Sequence, residues 1–564
     1  MPPKRKRGHS LEYHSSEDED YLPPGSPFQP SSSKSKPTVI RQQYQDEDIS
    51  LAQRRHSLQQ QQQTKPQKKH ASLTALDETT GLPCRSPLNI KFEVPEEVLH
   101  TILYYWCSDK GAIPGAAIAL CINKAWRSAV LSHPELWYYV DLSFGWCRPT
   151  NTILQTYSLK WIAMEVLSLE GCSTITEVAL LSIAENCPKL RSLNLSYCTG
   201  FREQGLADAL CSMLSRPLDE NSFPLQDLDL SFIQISPKGS GLDTVLRRVL
   251  LEQANNPTEG PVLETLLIAG CPMLSHRPLK AVCDASIVAG KPLLGALKTL
   301  SLDGSAGLSS DFTLNIVRLQ LAAPNLQSLH LCHVARALGW LPSVSTSGLP
   351  EGVSAGNAMW NKLKTLRITG NPSLSQISSD IEYLAQMLRN SPSLEEIALI
   401  GFRQVYLDDL MEFFSEYTAM GEPRQGLKRL TLDDTFASRY RLQGVVGEPS
   451  FYHVFANSTW MRESLERLSV IGSKDSFNDA ACEELANYYP YVVEIDARET
   501  GISEKGVRAL VKSAQRRGLL SSSGDGKNNA PNFDLNIDSC RNVDRKIRQA
   551  ASKSIHDLVT ALGL

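Results

Sequence analysis

Apolar residues recur along most of the chain in the pattern Leu-x-x-Leu-x-Leu, which Cys or Gly-Cys often follows closely. In an extended segment, side chains alternate between two faces, so such a copy buries its leucines and exposes the residues between them. Successive copies begin 26 to 38 residues apart, which predicts about 12 units with one short strand each. The copies begin at Met164, Leu190, Leu225, Leu263, Leu297, Leu326, Leu363, Leu394, Leu427 and Leu465, and two weaker ones contain Val492 and Leu535.

Stretches with the apolar spacing of helices lie between these copies, and four of them end at a proline two residues before the next copy. Proline stops a helix and favours extended backbone before it. One unit cannot bury its own apolar side, so the units must stack into a continuous core. We therefore expect residues 143–564 to form an α/β leucine-rich-repeat solenoid, a horseshoe with short parallel strands on the concave side and helices on the convex side. The predicted helices span residues 176–186, 311–322, 377–389, 407–417, 478–488 and 503–516.

Residues 91–142 precede the repeats and carry apolar side chains at helical spacing. Pro95 suits the first turn of a helix, where its missing N–H costs nothing, and Glu96 and Glu97 suit the positive end of the helix dipole. Apolar residues follow from Val98 to Trp106, and two further helical stretches lead to Trp137. The pattern predicts a small all-α module.

This module resembles an F-box. Residues 94–102, Val-Pro-Glu-Glu-Val-Leu-His-Thr-Ile, match the family's opening Leu-Pro-x-Glu followed by apolar positions. Residues 122–126, Ile-Asn-Lys-Ala-Trp, match its later stretch, and Leu136-Trp137 match its end. Val94 replaces the usual Leu, Asn123 stands where Cys is common, and the Asp-Leu before the second helix is missing. The order of F-box and cysteine-rich leucine repeats is similar to the F-box/leucine-rich-repeat family.

The resemblance implies the non-catalytic substrate-recognition subunit of an SCF-type ubiquitin ligase. The F-box would bind the Skp adaptor, and through it a cullin–RING ligase, while the repeats would bind a protein substrate. Two alternatives remain open: a helical cap that only closes the apolar end of the repeats, and a leucine-rich-repeat scaffold or regulator that acts without a cullin. The implied adaptor-binding residues are Val94, Pro95, Val98, Leu99, Ile102, Leu120, Trp126 and Trp137.

The exposed positions of the predicted strands carry both signs of charge. Neighbouring strands lie about 4.8 Å apart, so these charges meet as alternating patches. A nucleic-acid groove would show one sign of charge with interleaved aromatic residues, so we expect no nucleic-acid partner. A solvated face with local ion pairs and a protein-binding surface explain the pattern equally well. The candidate substrate-binding residues are Arg191, Asp227, Asp229, Lys364, Arg367, Lys428 and Arg429.

Composition and motifs exclude several classes of function. The formal net charge of −4 gives no overall attraction to nucleic acid or an anionic membrane. No C-x-x-C pair occurs among the 13 cysteines, so neither a zinc-ribbon site nor a disulfide framework is expected. No phosphate-binding loop, catalytic motif or histidine spacing typical of a metal site is present, so we expect no enzyme activity, cofactor or metal. No apolar run approaches the ~18 residues of a membrane helix. Cysteines recurring at one repeat position are expected in the core: Cys172, Cys198, Cys271 and Cys540.

Residues 1–90 contain 12 Ser and 11 Gln and few bulky apolar residues, so we expect a disordered tail. A basic cluster near its start has the form of a nuclear import signal, and we expect the protein in the nucleus, the cytoplasm or both. Residues 341–358 and 521–531 interrupt the repeats, and we expect the first to flank the substrate surface and the second to act as a tether. The basic cluster consists of Lys4, Arg5, Lys6 and Arg7.

Overall fold

The computed structural model of the chain describes most of residues 94–564. Its gaps are residues 111, 144–148, 219, 221, 237–240, 256–261, 306–315, 333–359, 370–386, 402–425, 435–450, 475 and 521–532. The predicted tail with its basic cluster and the two predicted insertions lie outside the described residues.

A parallel sheet of 13 strands runs through the described part of the chain, and a second sheet pairs two further strands, β4 and β6. The strands are β1 (Tyr139–Asp141), β2 (Val166–Ser168), β3 (Ser192–Asn194), β4 (Thr199–Arg202), β5 (Asp227–Asp229), β6 (Gln234–Ser236), β7 (Thr265–Leu267), β8 (Thr299–Ser301), β9 (Ser328–Leu331), β10 (Thr365–Thr369), β11 (Glu396–Ile400), β12 (Arg429–Thr431), β13 (Arg467–Ser469), β14 (Glu494–Asp496) and β15 (Asp534–Asn536).

The register of the large sheet follows the leucine pattern. Leu193 of β3 pairs with Leu167 of β2 on one side and with Leu228 of β5 on the other. At the far end, Ile495 of β14 pairs with Leu535 of β15. The equivalent residues of the other strands align in the same way and are buried. The predicted leucine-rich-repeat solenoid is confirmed, with one strand for each predicted copy and β1 before them.

Three helices precede the first strand of this sheet in the chain, two follow its last strand, and the others connect successive strands. Predicted helix 176–186 is observed as α5, 478–488 as α12 and 503–516 as α13, each beginning one residue later than predicted, because the first predicted residue is the N-cap. Predicted helix 311–322 is described only over α9, and helices 377–389 and 407–417 fall mostly or wholly outside the described residues. The helices are α1 (Glu96–Lys110), α2 (Ala112–Ile122), α3 (Lys124–Ser132), α4 (Asn151–Ser158), α5 (Glu177–Asn186), α6 (Glu203–Leu214), α7 (Gly241–Asn255), α8 (Arg277–Ala289), α9 (Ile316–Ala322), α10 (Phe451–Asn457), α11 (Thr459–Arg462), α12 (Asp479–Tyr488), α13 (Glu504–Arg516), α14 (Arg545–Ala551) and α15 (Ile555–Leu562).

One backbone position after each strand takes the left-handed conformation in most described repeats. Glycine fills it at Gly171, Gly270 and Gly304, and bulkier residues fill it at Tyr197 and Phe232. Its N–H donates to a carbonyl of the next repeat, for example from Gly171 to Ser196 O at 2.8 Å and from Tyr197 to Ser231 O at 2.9 Å. This position therefore links neighbouring repeats through the backbone.

The repeat cysteines lie in the core as predicted: Cys172, Cys198, Cys271 and Cys540 are buried. Each thiol donates to a backbone carbonyl of the preceding repeat, for example from Cys198 Sγ to Leu169 O at 3.0 Å. Burial raises the pKa of Cys198 to about 12 and that of Cys271 to about 11. Cys198 and Cys271 are therefore protonated at neutral pH and serve as small buried donors.

Candidate functional site

The three-helix module formed by α1, α2 and α3 precedes the first strand of the sheet. Glu96 begins α1 directly after Pro95, whose carbonyl accepts a hydrogen bond from Leu99 N at 3.0 Å. Leu99 and Leu103 point into the core and are 2 % and 0 % exposed. Leucine spacing along α1 thus fixes one buried face, and residues outside that face are exposed to solvent.

The exposed face of α1 is apolar. Val98, Ile102 and Tyr105 are spaced four and three residues apart, so they share one side of the helix. They are 49 %, 43 % and 70 % exposed. Isolated exposed apolar residues are ordinary, but several on one helix face form a patch of the kind that marks interaction sites. We call these three residues the apolar face of α1.

The other residues expected to bind the adaptor are distributed between surface and core. Pro95 is exposed, and Val94, Leu120 and Trp126 are half-buried. Leu99 was expected to contact the adaptor, but its side chain is buried in the core of this structure and presents almost no surface. Tyr105, Ile118 and Ile122 are exposed apolar residues that were not identified from the sequence.

Trp137 is 4 % exposed and lies at the junction of the module with the first repeat. Its ring centroid lies 6.1 Å from that of Trp161, and its Nε1 donates to Val130 O at 3.4 Å. Tyr157 completes this aromatic cluster, with a ring centroid 5.8 Å from Trp161. Trp137 therefore braces the module against the repeats and contributes no exposed surface.

One group of side chains in the described residues has the composition of a metal site. His100, His133 and Glu135 bring potential ligand atoms within 4.8 Å of one another. His133 Nδ1 lies 2.8 Å and His100 Nε2 3.1 Å from the same carboxylate oxygen, and only the first of these contacts is a hydrogen bond. The imidazole centroids are 3.9 Å apart, and the rings are tilted by 31° to each other.

This group is explained by its own polar contacts. Burial alone would raise the pKa of Glu135, but hydrogen bonds from its own backbone N–H and from His133 outweigh that effect and hold the pKa below its usual value. The carboxylate therefore stays charged beside two imidazoles at neutral pH. We interpret the group as a polar contact between α1 and the 3-10 helix Pro134–Trp137.

The strand face, meaning the outward side chains of the large sheet, carries the residues expected to bind substrate. Four of the basic ones surround two adjacent carboxylates. Glu395 lies 3.2 Å from Lys364 Nζ and 2.8 Å from Lys428 Nζ. The hydrogen bond from Lys428 is the main reason that the pKa of Glu395 is below its usual value, and Lys364 adds to it.

Glu396 holds the second pair of cations. It accepts a hydrogen bond from Arg367 Nε at 2.8 Å, and Arg429 Nη1 lies 3.4 Å from its other oxygen. Each carboxylate thus pairs with two cations through partly exposed ion pairs, and the six side chains together keep a net charge of 4 − 2 = +2. This geometry matches the interpretation as local ion pairs, and a partner protein would have to compete with them.

The remaining three candidates lie on the earlier repeats. The Arg191 guanidinium stacks 3.7 Å from the centre of the Phe223 ring and lies 3.9 Å from Glu165. Asp227 and Asp229 are outward residues of β5, and Asp229 accepts a hydrogen bond from Ser231 N at 2.8 Å. Neither aspartate forms an ion pair with a described residue. The earlier repeats therefore present the unpaired aspartates of β5, whereas β10 to β12 present ion pairs with an excess of positive charge.

No helix described in the structure is long and apolar enough to span a membrane. The predicted import signal and the predicted insertions cannot be placed, since they fall in the gaps.

No protein-family model and no curated protein matches the chain. Among solved structures, the complex of Rad7 and Elc1 from yeast is similar at 16 % identity and a TM-score of 0.42, over 80 % of this chain and 90 % of that one. The leucine-rich-repeat-containing protein LegL7 from Legionella pneumophila is similar at 13 % identity and a TM-score of 0.30, over 63 % and 89 %. At these scores neither likeness adds to the repeat architecture that the sheet register establishes.

Proposed function

We propose that the chain is the substrate-recognition subunit of an SCF-type ubiquitin ligase. Residues 91–142 act as an F-box that binds the Skp adaptor, and the repeats of residues 143–564 hold a protein substrate for ubiquitination. The chain itself is non-catalytic in this proposal, and neither a cofactor nor a nucleic acid takes part.

The apolar face of α1 is the observation that carries the proposal. A helical cap stabilises a repeat array by turning its apolar residues towards the repeats and its polar residues towards water. Here α1 has a buried leucine side and, in addition, exposed Val98, Ile102 and Tyr105. A second apolar side has no use in a cap, whereas a protein-binding helix requires it.

The strand face supports the substrate-binding half of the proposal less specifically. It presents acidic groups on β5 and paired charges on β10 to β12, so charge complementarity could select a partner and orient it. The alternative function is a leucine-rich-repeat scaffold or regulator without a cullin, and it would use the same face.

Co-expression with the Skp adaptor distinguishes the two functions. We expect the full chain to co-elute with the adaptor in size-exclusion chromatography as a stable complex, and a cullin–RING assembly to be recruited through it. A chain that is folded by circular dichroism but elutes without the adaptor would favour the scaffold function.

We also propose that the chain enters the nucleus through Lys4, Arg5, Lys6 and Arg7. A compact basic cluster is the feature that import receptors bind. Changing the four residues to alanine in a fluorescently tagged chain should shift it towards the cytoplasm, whereas changing the basic pair Arg54 and Arg55 should not. Equal distribution of the tetra-alanine variant and the unmodified chain would remove the basis for the nuclear assignment.

A further inference from the structure

A pocket of about 410 Å³ lies where the three-helix module meets the first repeat. Small-molecule sites typically measure about 300–1,000 Å³, so this pocket is large enough for a small organic ligand. Part of its lining comes from α2, α3 and the 3-10 helix, and the rest from the chain that follows β1, including α4. The side chains that matter here are Arg127, Leu131, Trp137, Tyr157, Lys160 and Trp161.

Most of the lining is apolar. Trp137 and Trp161 are 4 % and 2 % exposed, and Tyr157 is half-buried beside them. Branched aliphatic side chains add to these three rings: Leu120, Leu131, Leu142 and Ile153. Walls of this composition retain a ligand by removing its apolar surface from water. The larger part of a molecule that fits this pocket is therefore apolar.

The charged part of the lining is purely cationic. It contains Arg127 and Lys160 and no carboxylate, and neither cation forms an ion pair with a described residue. Arg127 Nε donates to Leu120 O at 3.0 Å, which holds the guanidinium at the pocket and leaves its two Nη atoms for a ligand. Lys160 Nζ lies 6.0 Å from the centre of the Tyr157 ring. Two cations without a carboxylate partner create a positive potential that attracts anions.

Trp161 provides an independent sign of a missing acceptor. Its indole Nε1 is buried and has no hydrogen-bond partner among the described residues. The neighbouring Trp137 differs in this respect, since its Nε1 donates to Val130 O at 3.4 Å. A buried donor without an acceptor is unfavourable, so a ligand that supplies one would be stabilised. The exposed cations thus attract an anion to the pocket, and the buried indole offers it a fixed donor.

The polar groups of the lining favour a carboxylate over other head groups. Arg127, Lys160 and Trp161 offer donors, and an ionised carboxylate is a pure acceptor with two oxygens. An amine would be repelled by the cations, and an alcohol would gain no charge-assisted hydrogen bond. A phosphate ester carries up to about two charges, so bringing it into a mainly apolar pocket would cost more desolvation.

We infer that this pocket binds a small organic acid with one carboxylate and an apolar body. Arg127, Lys160 and the Trp161 indole hold the carboxylate, while the aromatic rings and leucines of the lining pack against the apolar body. The pocket is lined by both the module and the first repeat, so the bound acid ties the two together. This site goes beyond the proposed function, because neither the adaptor nor a protein substrate takes part in it.

The experiment titrates the purified full chain with octanoate and with octanol by isothermal calorimetry at constant ionic strength. The two probes share an alkyl chain and differ in the charged head group. We expect octanoate to bind about 10-fold tighter or more, because its carboxylate forms charge-assisted hydrogen bonds that the alcohol cannot form. Equal affinities of acid and alcohol would overturn the carboxylate site.

Arg127→Gln/Lys160→Gln should abolish the preference for octanoate and leave octanol binding unchanged. Damage to the fold would weaken both probes, so retained octanol binding separates a direct role from a structural one. The matched control is Arg277→Gln/Lys291→Gln, which removes the same two charges from exposed positions at the start of α8 and just after its end. Equal losses of octanoate affinity in the two double variants would overturn the site.

Trp161→Phe tests the buried donor, because it keeps an aromatic ring and removes the N–H. We expect octanoate affinity to fall about threefold or more and octanol affinity to stay unchanged. Trp137→Phe is the control: its N–H already has an acceptor in Val130 O, so this variant should keep the preference for octanoate. Unchanged octanoate affinity in Trp161→Phe would overturn the role of this indole as the ligand's donor.

A further arm identifies the apolar body of the acid. Naphthoate carries the same carboxylate as octanoate on an aromatic body, and the tighter of the two shows which body the pocket takes. The tighter acid should also raise the Tm of the full chain, since it binds only the folded junction. Failure of both acids to bind, or tighter binding of octyl phosphate than of either, would overturn the assignment. None of these measurements needs the adaptor, so their failure is distinct from failure of adaptor binding.

Discussion

Replacing Val98 and Ile102 with glutamate should abolish co-purification of the Skp adaptor and leave the repeats folded. Apolar anchors at the centre of a protein interface typically contribute about 2 kcal/mol or more, and each 1.4 kcal/mol is a tenfold change in affinity. Glutamate removes that contribution and buries an unpaired charge in the complex as well. Both side chains are about half exposed in the free chain, so their replacement costs little stability.

Val178→Glu/Ile162→Glu is the matched control, because it makes the same two changes at positions that are 47 % and 51 % exposed and lie outside the module. Its adaptor binding should equal that of the unmodified chain. Leu99→Ala is unsuitable as a test, since it would empty a core position at a cost of about 2–5 kcal/mol and unfold the module. Full adaptor binding by the Val98/Ile102 variant would leave the helical cap as the better interpretation of α1.

The strands and their register could be predicted from the sequence because the leucines of each repeat determine which side of its strand is buried. A Leu-x-Leu pair has one arrangement that buries both leucines, and a slip by one residue would expose them. Each copy therefore aligns with the next, as Leu193 does with Leu167 and Leu228. A proline likewise ends a helix through its own backbone geometry, whatever the rest of the fold. The ends of α5 and α12 were therefore predicted correctly.

The orientation of α1 could not be predicted in the same way. Val98 and Ile102 form one apolar stripe and Leu99 and Leu103 form another, about 100° further around the helix. Both stripes are equally hydrophobic, so the sequence does not tell which one enters the core. The grouping of His100 with His133 and Glu135 depends on the packing of α1 against a later segment. The spacing of these residues along the chain therefore does not predict that they meet.

The grouping of Lys474, Glu499 and Arg541 around one pocket was not predicted from the sequence for a related reason. Lys474, Glu499 and Arg541 follow three different strands, and each looks like an ordinary surface charge where it stands in the sequence. Parallel stacking brings the equivalent positions of successive repeats together, so such a site is visible only when charges are compared at one repeat position. The charges around Glu395 and Glu396 were identified because they lie within the strand pattern itself.

The left-handed backbone position that follows the strand in most described repeats was also not predicted from the sequence. Glycine occupies it in two of the Gly-Cys pairs, at Gly171 and Gly270. Tyr197 and Phe232 adopt φ values of 57° and 56°, which bulky residues rarely do. Their rings stack with centroids 4.5 Å apart and an interplanar angle of 7°. The stack stabilises a backbone conformation that each aromatic residue alone would disfavour.

Gly270 occupies this left-handed position in the next repeat and lies beneath the Phe232 ring. A Cβ added there would stand 2.0 Å from Phe232 Cε1, so the ring would have to leave its place beside Tyr197. Gly270→Ala should therefore cost about 1 kcal/mol for the positive φ of 62° and a further ~0.5–1.5 kcal/mol for the disrupted stack. Urea unfolding of the full chain, followed by circular dichroism, measures the sum.

Gly290→Ala separates the two contributions. Gly290 has nearly the same φ, 60°, but a Cβ there would meet no atom within 4 Å, so this variant should lose only about 1 kcal/mol. In the background of Phe232→Ala, which removes the obstructing ring, Gly270→Ala should also fall to about 1 kcal/mol. A non-additive pair of this kind is the signature of two residues in direct contact. Gly270→Ala could instead lower the free energy of unfolding equally with and without the Phe232 ring. The aromatic stack would then not depend on this glycine, and other contacts would have to offset the strain at Phe232.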